Sequence, residues 1–288
     1  MSDTLERFLF DDAPVRGELV KLDAAYQEVL ARQSYPPVLQ ALIGELMAAA
    51  ALLSATLKFD GTLIMQLHGT ASVKLIVVEC TSSMTLRATA RWEGEVPALS
   101  LAELLGQGRF AITLEPEEGE TYQGIVGFEP GQGVAQIIEH YMARSEQLQT
   151  RLWLASGNGA AAGLMVQKLP AGHGDPDAWG RVQQLAQTIT ADELLQLPAR
   201  DTLYRLFHEE QVRVFEPDTP RFACTCSRER VGSMLRMVGL SEVETVLAER
   251  GNIDVTCEFC GLGYRFDPVD VAQLFGGHGT DGAGPQRH

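Results

Sequence analysis

Long apolar runs are missing from this sequence of 288 residues, and so is an excess of positive charge. A bilayer-spanning helix needs roughly 20 consecutive, mostly apolar residues. The nearest approach, 46–57, is alanine-rich, too short, and followed by Lys58, so no membrane span is expected. Residues 1–7 lack the basic start and apolar stretch of a secretory signal, which makes the cytoplasm the expected location. The 23 basic residues are outnumbered by 38 acidic ones, and a net charge of -15 repels the phosphate backbone of nucleic acids. Phosphate-binding glycine loops, nucleophile elbows and paired catalytic carboxylates are also lacking, so neither enzyme activity nor a nucleotide site is expected.

What is present is a 45% hydrophobic chain, long enough for one large domain and a smaller one. Residues 1–172 read as an α+β domain. After Pro36-Pro37, apolar residues at Val38, Leu39, Leu42, Leu46 and Ala49 recur with helical period and predict a long buried helix over 38–58. Short β-branched and apolar stretches at 62–68, 73–79, 84–91, 110–114 and 122–128 predict antiparallel strands, with Asp60-Gly61 and Glu118-Gly119 as turns. A helix over 134–149 and strands at 151–155 and 163–168 complete this antiparallel-sheet domain with packed helices.

The composition of 171–177 marks a loop and the domain boundary. Beyond it, 173–217 reads as a helical linker, with helices over 179–197 and 202–210. Its modest apolar stripe, Val182, Leu185 and Ile189, suits a segment resting on a neighbour and of low stability. Residues 218–275 form a compact C-terminal module. There Ser227 caps a helix to about Val238, Ser241 begins a second that stops at Gly251, a hairpin occupies 256–266, and Asp267-Pro268 opens a last helix. The glycine-rich tail, 276–288, is expected to be disordered.

Four of the five cysteines lie in this module in two close pairs, Cys224-Thr225-Cys226 and Cys257-Glu258-Phe259-Cys260, separated by 30 residues. Two short loops that each present two thiolates satisfy the tetrahedral demand of Zn²⁺, and Gly261-Leu262-Gly263 after the second pair suits a zinc knuckle. One zinc ion per chain on Cys224, Cys226, Cys257 and Cys260 is therefore expected. A module this small rarely derives more than about 3–5 kcal/mol from its core. Structural zinc contributes about 10–16 kcal/mol. Loss of the metal should unfold the module. Thiolates that become disulfides no longer hold zinc, and Arg228 and Arg230, just after Cys226, are candidates to favour thiolate character, although arginines on a helix more often serve as plain surface charge. Spacing alone leaves an inert structural site and a redox site equally open. Cys80 fits none of the ligand positions and reads as a buried small side chain, and no histidine, from His68 and His140 to His278 and His288, has ligand spacing to the cysteines.

The wider chain resembles the bacterial heat-shock chaperonin family of 33 kilodaltons, the redox-regulated holdases. The matching residues are Val15-Arg16-Gly17-Glu18-Leu19-Val20, Tyr35-Pro36-Pro37 leading to Leu57-Lys58-Phe59-Asp60-Gly61, Tyr122-Gln123-Gly124-Ile125-Val126, Tyr141 through Ser145-Glu146-Gln147-Leu148, and both cysteine motifs with Tyr264. The resemblance implies that the reduced, zinc-loaded form is a poorly active monomer, with zinc module and linker packed over the N-terminal domain. Oxidation then forms disulfides Cys224–Cys226 and Cys257–Cys260, ejects zinc and unfolds the linker. Dimerisation, ATP-independent binding of unfolding client proteins and later hand-over to ATP-driven foldases follow. If linker unfolding exposes the client surface, Val182, Leu185, Ile189, Leu194 and Leu195 would contribute to it.

Two other readings compete. A zinc-ribbon module in transcription or translation lacks a basic footprint: from Asp218 onward seven arginines and no lysine face ten acidic residues, 7 - 10 = -3. A thiol oxidoreductase using Cys257 and Cys260 would place that pair at the start of a helix after a strand, whereas here it lies in a hairpin.

Overall fold

The computed structural model describes residues 3–57, 60–127, 129–170, 175 and 177–276. The chain divides into two compact units, Met1–Ala223 and Cys224–His288. The first contains β1 (Thr4–Phe10), β2 (Val15–Leu22), α1 (Ala24–Leu30), α2 (Pro37–Ser54), β3 (Gly61–His68), β4 (Val73–Thr81), β5 (Thr85–Trp92) and α3 (Leu101–Leu105). It continues with β6 (Arg109–Pro116), β7 (Tyr122–Val126), α4 (Val134–Arg144), β8 (Thr150–Gly157), β9 (Ala160–Lys168), α5 (Ala178–Ala186), α6 (Ala191–Gln196), α7 (Ala199–Phe207), β10 (Val212–Val214) and β11 (Arg221–Phe222).

Two sheets organise this unit. One runs β10-β1-β2-β9-β8, antiparallel throughout, and the other β11-β5-β4-β3-β6-β7. The second departs from the purely antiparallel expectation: β11 joins β5 in parallel, pairing Arg221 with Thr85 and Phe222 with Leu86. Helix α2 packs on both sheets. By length and apolar composition it is able to cross a membrane, which the sequence reading of 46–57 understated, yet its residues from Leu46 to Ser54 are all buried within the unit. Its run of alanines at 48–51 lets two sheets approach one helix closely, because each Cβ demands little room.

A second core lies on the other face of the first sheet. Phe8, Phe10, Val15, Leu19, Leu164 and Val166 meet Val182, Leu194, Leu203, Leu206 and Phe207 from α5, α6 and α7. The segment read as a linker therefore packs on its neighbour, with Ile189 buried and Leu185 and Leu195 partly so. It does not form one helix over 179–197. Thr190 accepts from the Glu193 amide and Glu193 reciprocates, a capping box that restarts the helix at Ala191, while Pro198 stands at the head of α7. Beneath α6, the buried Lys21 donates to the Leu194 carbonyl.

The second unit comprises α8 (Arg228–Val238), α9 (Leu240–Arg250), β12 (Ile253–Thr256), β13 (Gly263–Phe266) and α10 (Pro268–Gly276). Ser227 caps α8 by accepting from the Arg230 amide at 3.2 Å, as expected. Ser241 does not cap α9: that helix starts one residue earlier, directly after Gly239, leaving Ser241 inside its first turn. Among the described residues its core consists of five buried apolar residues, Leu235, Val243, Ile253, Phe266 and Val271. The helices expected over 38–58 and 134–149 end earlier, at Ser54 and Arg144. Other sequence expectations fall outside the described residues: the Lys58-Phe59 pair, Phe128, most of the 171–177 loop, and the tail with His278 and His288.

Candidate metal centre

Cys224 and Cys226 occupy the irregular segment just before α8, and the Ser227 cap fixes where that segment ends. Cys257 and Cys260 sit in the turn of the β12–β13 hairpin. Its register pairs Thr256 with Gly263, and the Cys257 amide donates to Leu262 O at 2.9 Å while the Gly261 amide donates back to Cys257 O at 2.8 Å. Gly261 has φ +74, a left-handed conformation that a side chain would strain, which is why glycine follows the second pair.

The two segments bring all four sulfurs within 4.8 Å of one another. Sγ of Cys224 lies 3.7 Å from that of Cys257, and Sγ of Cys226 lies 3.3 Å from that of Cys260. Thiolates about 2.3 Å from a central ion are about 3.8 Å apart when tetrahedral, so the cluster has the size of a four-thiolate metal site. None of the five cysteines, all among the described residues, is in a disulfide. Each of the four is partly buried, so the site is shielded without being sealed.

The sulfurs are electrostatically unequal. Burial pushes the Cys226 thiol up, but hydrogen bonds from the Tyr264 hydroxyl, at 3.1 Å, and from the neighbouring thiols outweigh it and hold the group at about 7. Cys260 is driven the other way, to about 12, by burial and by hydrogen bonding to Cys226 and the other two sulfurs. One thiolate is thus favoured and its negative charge opposes the next, a pattern that a divalent cation removes by stabilising all four thiolates together. Tyr264 is the contributor that spacing did not reveal. Arg228 and Arg230, for which thiolate support and plain surface charge were both open, make contacts within the scaffold. Arg228 stacks over the Phe266 ring at 4.3 Å, donates to Arg265 O and pairs with Asp270, and Arg230 donates to the Thr225 hydroxyl. They brace the scaffold around the sulfurs.

Cys80 is buried in the first unit's core, outside the cluster, and burial raises its thiol to about 12. Trp153 and Trp179 pack, partly buried, against the second core.

Fold and site together define a two-unit α+β protein whose smaller unit gathers four thiols into one metal-sized cluster. The Hsp33 protein family matches residues 3–267. The 33 kDa chaperonin of Chromobacterium violaceum is 55% identical over 276 residues, spanning 95% of this chain and 94% of that protein. The 33 kDa chaperonin of Methylobacillus flagellatus is 50% identical over 279 residues, spanning 96% and 95%. In fold, the crystal structure of the 33 kDa chaperonin from Thermotoga maritima superimposes with a TM-score of 0.81 at 20% identity, covering 94% of this chain and 97% of that one. The chain belongs to the Hsp33 protein family.

Proposed function

We propose that this protein is a redox-regulated, ATP-independent chaperone whose trigger is a single Zn²⁺ held by Cys224, Cys226, Cys257 and Cys260. The observation that carries the reading is the convergence of these four thiols from two segments into one cluster, in a unit whose described residues include five buried apolar ones in its core. Four thiolates form a soft donor set that suits zinc over magnesium or calcium. The metal, when bound, supplies cross-linking and charge neutralisation.

Oxidation acts on the protein's own sulfurs. In each pair, Cys224 with Cys226 and Cys257 with Cys260, two thiolates give up two electrons and join as a disulfide, while one hydrogen peroxide takes up those electrons and two protons to leave two waters. A disulfide sulfur has neither the charge nor the donor strength to hold zinc, so the second unit loses its principal stabilisation. In this reading 173–217 unfolds next, and 1–172 carries the client-binding and dimerisation functions. The reduced form is a monomer and the oxidised form a dimer that holds unfolding proteins for ATP-driven foldases. The site of action is the cytoplasm, and no catalytic turnover belongs to the mechanism.

The test treats zinc-loaded, reduced protein with hydrogen peroxide and follows metal release with a chromogenic chelator beside suppression of aggregation of an unfolding client. Metal release together with suppression is expected. An oxidised chain that retains its metal, or releases it and suppresses nothing, refutes the reading.

A further inference from the structure

β7 is the last strand of its sheet: among the described residues it pairs with β6 on one side and with no strand on the other. Tyr122 and Ile125 on it are 47% and 56% exposed, Tyr122 on the face of the sheet that carries Ile112 and Leu114 and Ile125 on the opposite face. Beside it opens a cavity of about 360 Å³ whose walls include Leu63, Ile112, Leu114, Met142 and Leu148. The two features are contiguous. Ile112 and Leu114 on β6 stand opposite Gly124 and Tyr122, and the Tyr141 ring, which also lines the cavity, presses on β7 so closely that a Cβ at Gly124 would lie 2.4 Å from it. An open strand edge offers unpaired peptide groups at regular spacing, which only another extended polypeptide satisfies. The cavity at its side takes one or two large apolar side chains.

The surroundings select among polypeptides. Glu115, Glu117, Glu118, Glu120 and Glu129 are all exposed around β7, and the sequence contains no lysine or arginine from Ala111 to Ala143. A second copy of this chain would bring the same glutamates and a net charge of -15 to the same edge, so self-pairing is opposed. We propose that the β7 edge and the adjoining cavity form a docking site for extended client segments that are apolar at the centre and flanked by lysine or arginine. The proposal rests on the chaperone reading above and names where one class of client is held. The apolar centre lies along β7 with a side chain in the cavity, and the flanking cations meet the glutamates of the β6–β7 turn.

The experiment uses the full-length chain, before and after peroxide treatment, and two fluorescent peptides sharing a continuous apolar centre that presents apolar side chains to both faces of the strand, one flanked by lysines and one by glutamates. At low ionic strength the lysine-flanked peptide should bind about tenfold more tightly, with the preference fading as salt is added. Reversing the exposed charges in a Glu117→Lys, Glu118→Lys, Glu120→Lys variant should invert the preference without touching the core, and Ile125→Ser should weaken both peptides. Absence of peptide binding in both forms, or binding indifferent to both variants, overturns the site and leaves the glutamates as a guard against self-pairing. Dimerisation lost on Ile125→Ser, with peptide binding unchanged, overturns it in favour of a second copy. Client aggregation separates the two readings: equal suppression by wild type and both variants removes the site and keeps the chaperone, whereas no suppression by wild type with peptide selectivity intact does the reverse.

Discussion

Replacing Glu18 by glutamine should stabilise the first unit, and by an amount that depends on pH. Glu18 lies on β2, which alternates between two cores: Val15 and Leu19 join the one under the linker helices, Val20 and Leu22 the one around α2. Glu18 shares the parity of Val20 and Leu22, is 3% exposed, and has one carboxylate oxygen without a hydrogen-bond partner. Burial raises its carboxyl from 4.5 to about 7, against the lowering pull of Arg16 and Arg7. Because the folded value is the higher one, the folded chain binds more protons between those limits, and stability is lost as pH rises from 4.5 to 7. At about 1.4 kcal/mol per pH unit the full loss is about 3 kcal/mol. Glutamine keeps the shape and cannot ionise, so its advantage should be under about 1 kcal/mol at pH 5 and about 3 kcal/mol at pH 8. Urea unfolding followed through Trp92, Trp153 and Trp179, all in the first unit, measures that difference. An advantage equal at both pH values would refute the assignment of an uncompensated buried carboxylate. The outcome bears on function, since a chaperone acts under conditions that unfold its clients and must keep its own binding unit folded.

Two further outcomes follow from the sulfurs. Tyr264→Phe removes the donor to Cys226 and should weaken zinc binding by about 10–100-fold, the usual effect of losing a group that supports a metal ligand; competition against a chelator of known affinity measures it, and unchanged affinity would show that the hydroxyl is a bystander. Cys80, fully buried with its thiol raised to about 12, should resist alkylation in the native chain while the metal-stripped cluster reacts, and Cys80→Ala should leave peroxide-driven zinc release unchanged; mass spectrometry after brief iodoacetamide treatment reads the first and a chelator assay the second.

Much of the architecture was legible because periodicity reported it. The strands from β3 to β9 lie where their patterns predict, and the helices α2 and α4 begin there but stop at Ser54 and Arg144, four and five residues before the expected ends. β1 and β2 escaped because β2 is buried on both faces and so does not alternate, while β10 and β11, three and two residues long, are defined by partners far away in sequence. The break in 179–197 was written in Thr190 and Glu193, a capping box hidden inside an otherwise continuous apolar stripe. At the metal centre the four cysteines were readable from number and spacing. The contact of Tyr264 with Cys226 was not, because it depends on the β12–β13 pairing, and neither were the partners of Arg228 and Arg230, because proximity in sequence to a cysteine does not fix where a long side chain ends.

The two recorded sulfur contacts, Cys224 to Cys257 and Cys226 to Cys260, both cross from one segment to the other, and the 30 residues between Cys226 and Cys257 form α8, α9 and β12. A metal here would close that loop on itself for as long as it is bound, coupling the fold of the whole unit to the ion. The proposed disulfides each close a ring within one segment and constrain almost none of it. On the proposed mechanism oxidation would exchange one long-range clasp for two local staples: the chain would gain covalent bonds and lose its closure. Reduction alone would not reverse the change, because the loop must find its other half before an ion can bridge them, so return to the closed state is set by a chain-search step and by the supply of metal.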